Sequence, residues 1–273
     1  MWKARIPSSG EEVIRVGLGT YKNFDVGNSA TDREGLKQIL QSFVAAGGTL
    51  VDSSPMYGSS ETVLGDISAG VGLNSGLFIA TKVWTQGQAS GEAQMKDSMQ
   101  KLRRKKLELM QIHNLVDWKT HLKTLTKWKA EGVFKYIGIT HYSTGAFSDL
   151  EAVIKSYKLD FLQIPYSIAQ TEGEKRLIPF AFDQGVAVIA NEPFDKGRVF
   201  TQVRGKPLPA WAQEIGITSW AEYFLKFILA SKQIQFVIPA TSKISHLMDN
   251  MRGGAGIIPT LDQRKRMQKE LAS

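Results

Sequence analysis

The chain has 273 residues, 42% hydrophobic and 22% charged, the composition of a folded protein with a sizeable core rather than of a disordered tail. It has no cysteine, which excludes a disulfide scaffold and thiolate metal sites, and no apolar run near the roughly 20 residues that span a bilayer. The net charge is +8, and the densest basic run, residues 101–106 (KLRRKK), has none of the interleaved aromatics that nucleic-acid binding uses, so it reads as a solvated helix end.

In chain order, the opening MWKARIPSSG lacks the apolar stretch of a secretory signal, and a cytoplasmic protein is expected. Residues 3–6 and 12–15 flank Pro7-Ser8-Ser9-Gly10 and read as a β-hairpin with a longer turn. Apolar, β-branched or aromatic runs then recur at 16–20, 49–54, 77–83, 107–113, 136–141, 161–167, 186–192 and 236–242. Between them lie segments of helical period, among them 32–46, 92–104, 121–131, 145–157 and 219–230. Gly47-Gly48, Gly132 and Gly185 stand just before strands, where a helix stops. Such alternation argues for a parallel sheet. Eight repeats over this length predict an α/β fold, a (β/α)₈ TIM barrel whose N-terminal hairpin closes the bottom; a doubly wound sheet is the other reading. The connection over residues 194–217 is long and rich in Gly, Pro and Lys, which in a compact fold points to function or to disorder. The tail, 253–273, carries one helical stretch at 259–269, and with no composition break a single domain over 1–273 is expected.

Three ionisable residues, Asp52, Lys82 and His113, close successive strands at intervals of about thirty residues, the length of one strand-helix unit. Successive parallel strands bring them side by side at the carboxyl rim, where barrels of this kind hold their active sites. Tyr57 lies in the loop leaving the Asp52 strand. A phenol has an ordinary pKa near 10; the Lys82 ammonium, held by Asp52, is expected to lower it and make Tyr57 a general acid. His113 is placed to hydrogen-bond and orient a substrate oxygen. The histidines, His113, His121, His141 and His246, show no H-E-x-x-H spacing, and no metal site is expected.

The segments LVDSSPMYGSSETVLGD, IATKVW, MQIHN and VIPATSKISHLMDN, with their order and spacing, resemble the aldo-keto reductases over residues 16–250. The resemblance implies a (β/α)₈ barrel that reduces carbonyl compounds with NADPH, without metal or flavin. Hydride passes from nicotinamide C4 to the carbonyl carbon and a tyrosine protonates the oxygen. The four catalytic roles fall on Asp52, Tyr57, Lys82 and His113. An NADPH-binding sensor or regulatory subunit with little turnover is the alternative.

No G-x-G-x-x-G opens a helix: Gly17-Leu18-Gly19-Thr20-Tyr21-Lys22 lacks the third glycine and ends a strand. The resemblance places Gly19, Thr20 and Tyr21 at the nicotinamide end and Gln163 on its carboxamide. Thr140 and His141 stand where relatives often have Ser-Asn, and Asn191 where they often have a stacking tyrosine, with Phe194 expected to compensate. Lys196 and Gly197 are expected to flank the pyrophosphate. Thr241 and Ser242 open a helix whose free N–H groups suit phosphate, Lys243 suits a 2′-phosphate, and Asp249 and Asn250 suit adenine. His246 replaces an arginine common in relatives, so NADPH is expected with NADH as the second choice. Tyr21, Trp84 and Trp118 are the expected substrate walls. The short tail implies an open site of broad specificity for small carbonyl substrates, in a monomer or weak oligomer with no nucleic-acid or membrane partner.

Overall fold

The computed structural model describes residues 1–272. An antiparallel hairpin comes first, β1 (Lys3–Arg5) with β2 (Glu12–Ile14). Eight parallel strands follow in simple sequential order: β3 (Leu18–Gly19), β4 (Leu50–Asp52), β5 (Phe78–Val83), β6 (Leu107–His113), β7 (Phe134–Thr140), β8 (Phe161–Pro165), β9 (Ala187–Asn191) and β10 (Phe236–Val237). Parallel bridges Val16 to Val237 and Gly19 to Ala240 join the last strand to the first and close the barrel. The expected strand over 236–242 is only two residues long. Pro239 has no N–H to donate, although its carbonyl still accepts from Gly19 N at 3.0 Å.

Helices cover the outside: α1 (Ala30–Ala45), α2 (Ser60–Gly70), α3 (Gln88–Lys101), α4 (Trp118–Ala130), α5 (Phe147–Ser156), α6 (Leu177–Asp183), α7 (Arg198–Gln202), α8 (Ala210–Glu214), α9 (Trp220–Leu229), α10 (Ile244–Arg252) and α11 (Leu261–Ala272). In α1, Leu36, Ile39, Leu40 and Phe43 are buried at helical spacing, and Ser29 caps the start by accepting from Asp32 N at 3.4 Å. The long connection over 194–217 contains α7 and α8 rather than being a bare loop. Helix α2 was not among the segments singled out, because its two glycines weaken the helical signal. Gly65 is there for contact: a Cβ would lie 2.0 Å from the carbonyl oxygen of Lys101, so its absence lets α2 sit against the end of α3. Among the described residues no helix is long and apolar enough to cross a membrane.

The basic run at 101–106 is not simply solvated. Lys101 pairs with Asp97 at 2.7 Å, Arg103 Nε donates to Asp66 at 2.9 Å, and Arg104 bonds Glu108 and the carbonyl of Asn74.

Strand side chains alternate, and this sets the site. One parity of β4 to β9, with Leu50, Phe78, Ala80, Leu109, Tyr136, Phe161, Ala187 and Ile189, packs into a single inner cluster. Ile6 and Val13 of the hairpin segment join it from below, and Ser9 Oγ lies 2.6 Å from the Tyr136 hydroxyl, so the hairpin closes the bottom as expected. The other parity, such as Val51, Ile79, Met110 and Ile112, packs outward in the cluster shared with the helices. Continuing the inner parity upward gives Asp52, Lys82, Gln111 and His113, then Thr140, Gln163 and Asn191. The pairing register sets Lys82 beside Gln111, His113 beside Thr140, and Thr140 beside Gln163.

Candidate active site

The structure brings Asp52, Tyr57, Lys82 and His113 together. Lys82 and Asp52 are almost wholly buried, and Lys82 Nζ donates to Asp52 Oδ2 at 2.7 Å and to the carbonyl of Ser53 at 2.6 Å. Gln111 Nε2 donates to the other Asp52 oxygen at 3.4 Å. The Lys82 ammonium lies 5.1 Å from the centre of the half-buried Tyr57 ring. Burial works against the ammonium, but Asp52 and then Tyr57 more than offset it, holding Lys82 above the ordinary lysine range and so charged near neutrality.

The phenol behaves differently from expectation. Burial pushes the Tyr57 hydroxyl above its ordinary value, and the opposing pull of Lys82 does not reverse this. Tyr57 is therefore fully protonated near neutrality, the form a proton donor needs. Its loop is anchored from a distance: Asp25 accepts from Ser59 N at 2.8 Å and Ser59 Oγ at 2.9 Å. Gly58, at φ +58°, leaves no room for a Cβ, which would sit 2.3 Å from the Asp25 carboxylate.

His113 is neutral. Burial, then the nearby charge of Lys82 and the proximity of His141, lower its pKa to about 3. Its Nδ1 lies 3.1 Å from Ser54 Oγ. Neither Ser54 nor Gln111 was among the expected site residues. Both are uncharged, and only contact with the ionisable groups brings them in.

Aromatic rings line the rim in an arc. Tyr21 and Tyr57 lie 4.9 Å apart, Tyr57 and His113 6.1 Å, and Trp84 and His113 6.4 Å. Tyr21 and Trp84 are about half exposed, at 52% and 43%, and Gln94 holds the Trp84 backbone at both N–H and carbonyl. Trp118 is outside this arc: it opens α4 and meets Tyr157 edge-on at 5.6 Å.

The expected cofactor residues divide into two groups. Gly19 sits at the barrel closure, and Thr20 is buried with its hydroxyl given to Ser53 Oγ at 3.0 Å, so of that turn only Tyr21 faces solvent. Thr140 and Gln163 are buried at the rim; His141 is half-buried, stacks on Tyr142 at 5.3 Å and accepts from Ser143 N at its Nδ1. Gln163 Oε1 and Asn191 Oδ1 are buried acceptors with no partner among the described residues.

Further round the rim, a cleft of about 450 Å³ is lined by Phe194, Trp220, Thr241, His246, Asp249 and Asn250, among others. Trp220, with its neighbours Ser219 and Phe200, was missed, because on sequence it reads as the apolar start of a helix. The N-cap of α10 is Lys243, whose N–H is taken by Thr241 Oγ1 at 3.1 Å; Ser242, Lys243 and His246 are exposed. Lys196 reaches Glu192 at 3.5 Å with its side chain 65% exposed, beside Gly197 at φ +92°. The Asp249 carboxylate is bonded by Arg252 and Asn250 is only 3% exposed, and both line the cleft.

Comparison with known proteins agrees with this architecture. The model of the Aldo/keto reductase family matches residues 15–255. The chain is 25% identical over 199 residues to Aldo-keto reductase YhdN of Bacillus subtilis, a match covering 67% of this chain and 59% of that protein. It is 23% identical over 258 residues to Methylglyoxal reductase YeaE of Escherichia coli, covering 92% and 89%. In structure it is similar to an aldo-keto reductase from Klebsiella pneumoniae in complex with NADPH, with a TM-score of 0.84, 20% identity, and 99% and 96% of the two chains covered.

Proposed function

The chain belongs to the aldo/keto reductase family, and from that footing we propose that it reduces small aldehydes or ketones to alcohols with NADPH, Tyr57 giving the proton. The observation that carries this reading is the buried Lys82–Asp52 pair set beneath the Tyr57 ring. An ordinary structural ion pair has no need of a half-buried phenol over its cation at an open rim.

The groups around the rim fit the dinucleotide. Gln163 Oε1 and Asn191 Oδ1 are orphaned acceptors that a carboxamide N–H₂ would satisfy. The first turn of α10 has no side-chain cap, which leaves backbone N–H groups for a phosphate, with Lys243 beside them for a 2′-phosphate. Phe194 and Trp220 flank the cleft for a flat base. The Klebsiella neighbour's NADPH supports the same choice of dinucleotide.

When bound, NADPH supplies the hydride for the carbonyl carbon. The residues of the chain manage the oxygen. Tyr57 donates its hydroxyl hydrogen to the oxygen as negative charge grows there. A raised phenol pKa does not block this, because the alkoxide formed by hydride addition is a far stronger base than a phenolate. Lys82, kept charged by Asp52, stabilises the phenolate left behind. Neutral His113 donates one N–H to the same oxygen and fixes its direction. The ring faces of Tyr21 and Trp84 favour a flat or compact apolar carbonyl compound, and the E. coli relative named for methylglyoxal reduction points to small reactive carbonyls.

The test is loss of absorbance at 340 nm with NADPH and a panel of aromatic and aliphatic aldehydes, including methylglyoxal. Turnover is expected in the wild type. Tyr57→Phe is expected to lose about 10²–10⁴-fold in kcat while binding NADPH normally. Tight NADPH binding with no turnover of any substrate would instead favour a sensor.

A further inference from the structure

We propose that Ser54 is a positioning residue: by donating its hydroxyl hydrogen to His113 Nδ1 it locks the imidazole in the tautomer that carries its proton on Nε2, at the rim beside Tyr57 and Trp84. The argument is a proton count. Ser54 Oγ has two neighbours, the N–H of Met56 at 3.3 Å and His113 Nδ1 at 3.1 Å. The Met56 amide can only donate, so the oxygen is already an acceptor on that side. The side chain is fully buried, which denies it water. Among the described residues, the hydroxyl hydrogen therefore has one place to go, the lone pair of His113 Nδ1. If Nδ1 carried the proton instead, the Ser54 hydrogen would be buried with no acceptor, the costly arrangement for a polar group.

A neutral imidazole has one N–H, so an unprotonated Nδ1 puts it on Nε2. Among the described residues Nε2 has no partner, and it is not a buried unsatisfied atom, so it is the open end of the ring, between Tyr57 and Trp84. The groups that face His113 keep it neutral: Lys82 and His141 both oppose a charge there, and Tyr57 is protonated. Ser54 also holds the proton donor, since its carbonyl accepts from Tyr57 N at 3.0 Å. One serine thus sets the backbone of the phenol and the tautomer of the imidazole, so that two hydrogen-bond donors converge on one place.

The tautomer can be read directly, in the absence of substrate, by heteronuclear NMR of protein labelled at the imidazole nitrogens, with His113 assigned from the resonance lost in His113→Gln. The wild type is expected to show Nδ1 bare and Nε2 protonated, with no titration between about pH 6 and 8. Ser54→Thr, which keeps the hydroxyl, should preserve that pattern, and Ser54→Ala should give a mixture of tautomers with the fold retained by circular dichroism. A proton on Nδ1 in the wild type, or an unchanged pattern in Ser54→Ala, overturns the proposal. The kinetic arm rests on the carbonyl-reductase reading. There Ser54→Ala is expected to lower kcat roughly tenfold, less than the 10²–10³ of losing an oxyanion donor outright, with NADPH affinity unchanged and activity restored in Ser54→Thr. Should the wild type reduce no carbonyl compound, the reductase reading fails and the spectrum still decides the role of Ser54.

Discussion

At the β4–β6 corner, the protein pairs its own charges: Asp52 takes a bond at each oxygen, Lys82 gives one to Asp52 and one to Ser53, and Ser54 meets His113, although the amide oxygen of Gln111 there has no partner among the described residues. Across the rim at β8 and β9 there is no such buried ion pair, and Gln163 and Asn191 keep buried carbonyl oxygens with no partner among the described residues. Both regions are built from inward-facing residues at strand ends, so their difference is not topological. The corner is assembled before any ligand arrives, as fits groups that must hold a fixed geometry during a reaction. The groove is left incomplete, as fits a surface whose missing bonds come from what it binds.

The largest effect should come from breaking the finished region. Lys82→Met leaves Asp52 buried with its main partner gone, and a lost partner of a buried ion pair costs about 3–5 kcal/mol. Urea unfolding should show this as a shifted midpoint at constant slope. The double variant Asp52→Asn with Lys82→Met should recover part of the loss, because no charge then remains unpaired. If Lys82→Met is as stable as the wild type, the corner is not the preassembled unit described here.

His113 gives the same region a pH signature. Its folded pKa of about 3 lies below the ordinary histidine value of 6.5, so the unfolded chain takes up the proton first. The stability linked to this group is complete above about pH 6.5 and is lost as pH falls toward 3, on the order of a few kcal/mol over that window. Acid unfolding of His113→Gln should show a shallower decline than the wild type through this range. Parallel curves would mean that His113 is not held neutral by its surroundings.

Much of this corner was legible in the sequence, for a simple reason. Strand parity and a repeat of about thirty residues fix where Asp52, Lys82 and His113 point, and neither depends on tertiary detail. What was not legible depends on contact. Ser54 and Gln111 are uncharged residues of common type, and only their bonds to His113 and Asp52 give them meaning. The direction of the Tyr57 shift was misjudged because a sequence shows the nearby cation but not the burial that outweighs it. The acidic partners of the basic residues after β9 were not legible either: Lys196 meets Glu192 and Arg198 meets Asp195 across a single turn of chain, with both cations still largely exposed. Trp118 follows β6 closely enough in sequence to suggest a wall, but its ring meets Tyr157 instead.

A smaller effect is expected between the two regions, in the loop that carries the phenol. Gly58→Ala must adopt a positive φ and push against Asp25, costing about 1–3 kcal/mol. Because Asp25 anchors Ser59, the strain falls on the backbone next to Tyr57. Turnover should therefore drop more than NADPH affinity does, a split visible by comparing kcat with the dissociation constant from fluorescence titration. Equal losses in both would place the effect on the fold as a whole.

The smallest effect bears most directly on the comparison, because its sign should differ between the regions. Gln163→Leu removes a buried acceptor that the free protein leaves unpaired, so the ligand-free fold should lose no stability and can gain some. With the carbonyl gone, a bound carboxamide loses a partner, and NADPH binding should weaken by about 1 kcal/mol, roughly fivefold in Kd. Thermal unfolding with and without NADPH separates the two quantities: the ligand-free midpoint holds or rises while the ligand-induced shift shrinks. Lys82→Met should do the reverse, with the ligand-free midpoint falling sharply. A ligand-free Gln163→Leu protein that unfolds at clearly lower temperature would show that the groove, like the corner, is held by bonds within the chain, and the orphaned oxygens would no longer mark a binding surface.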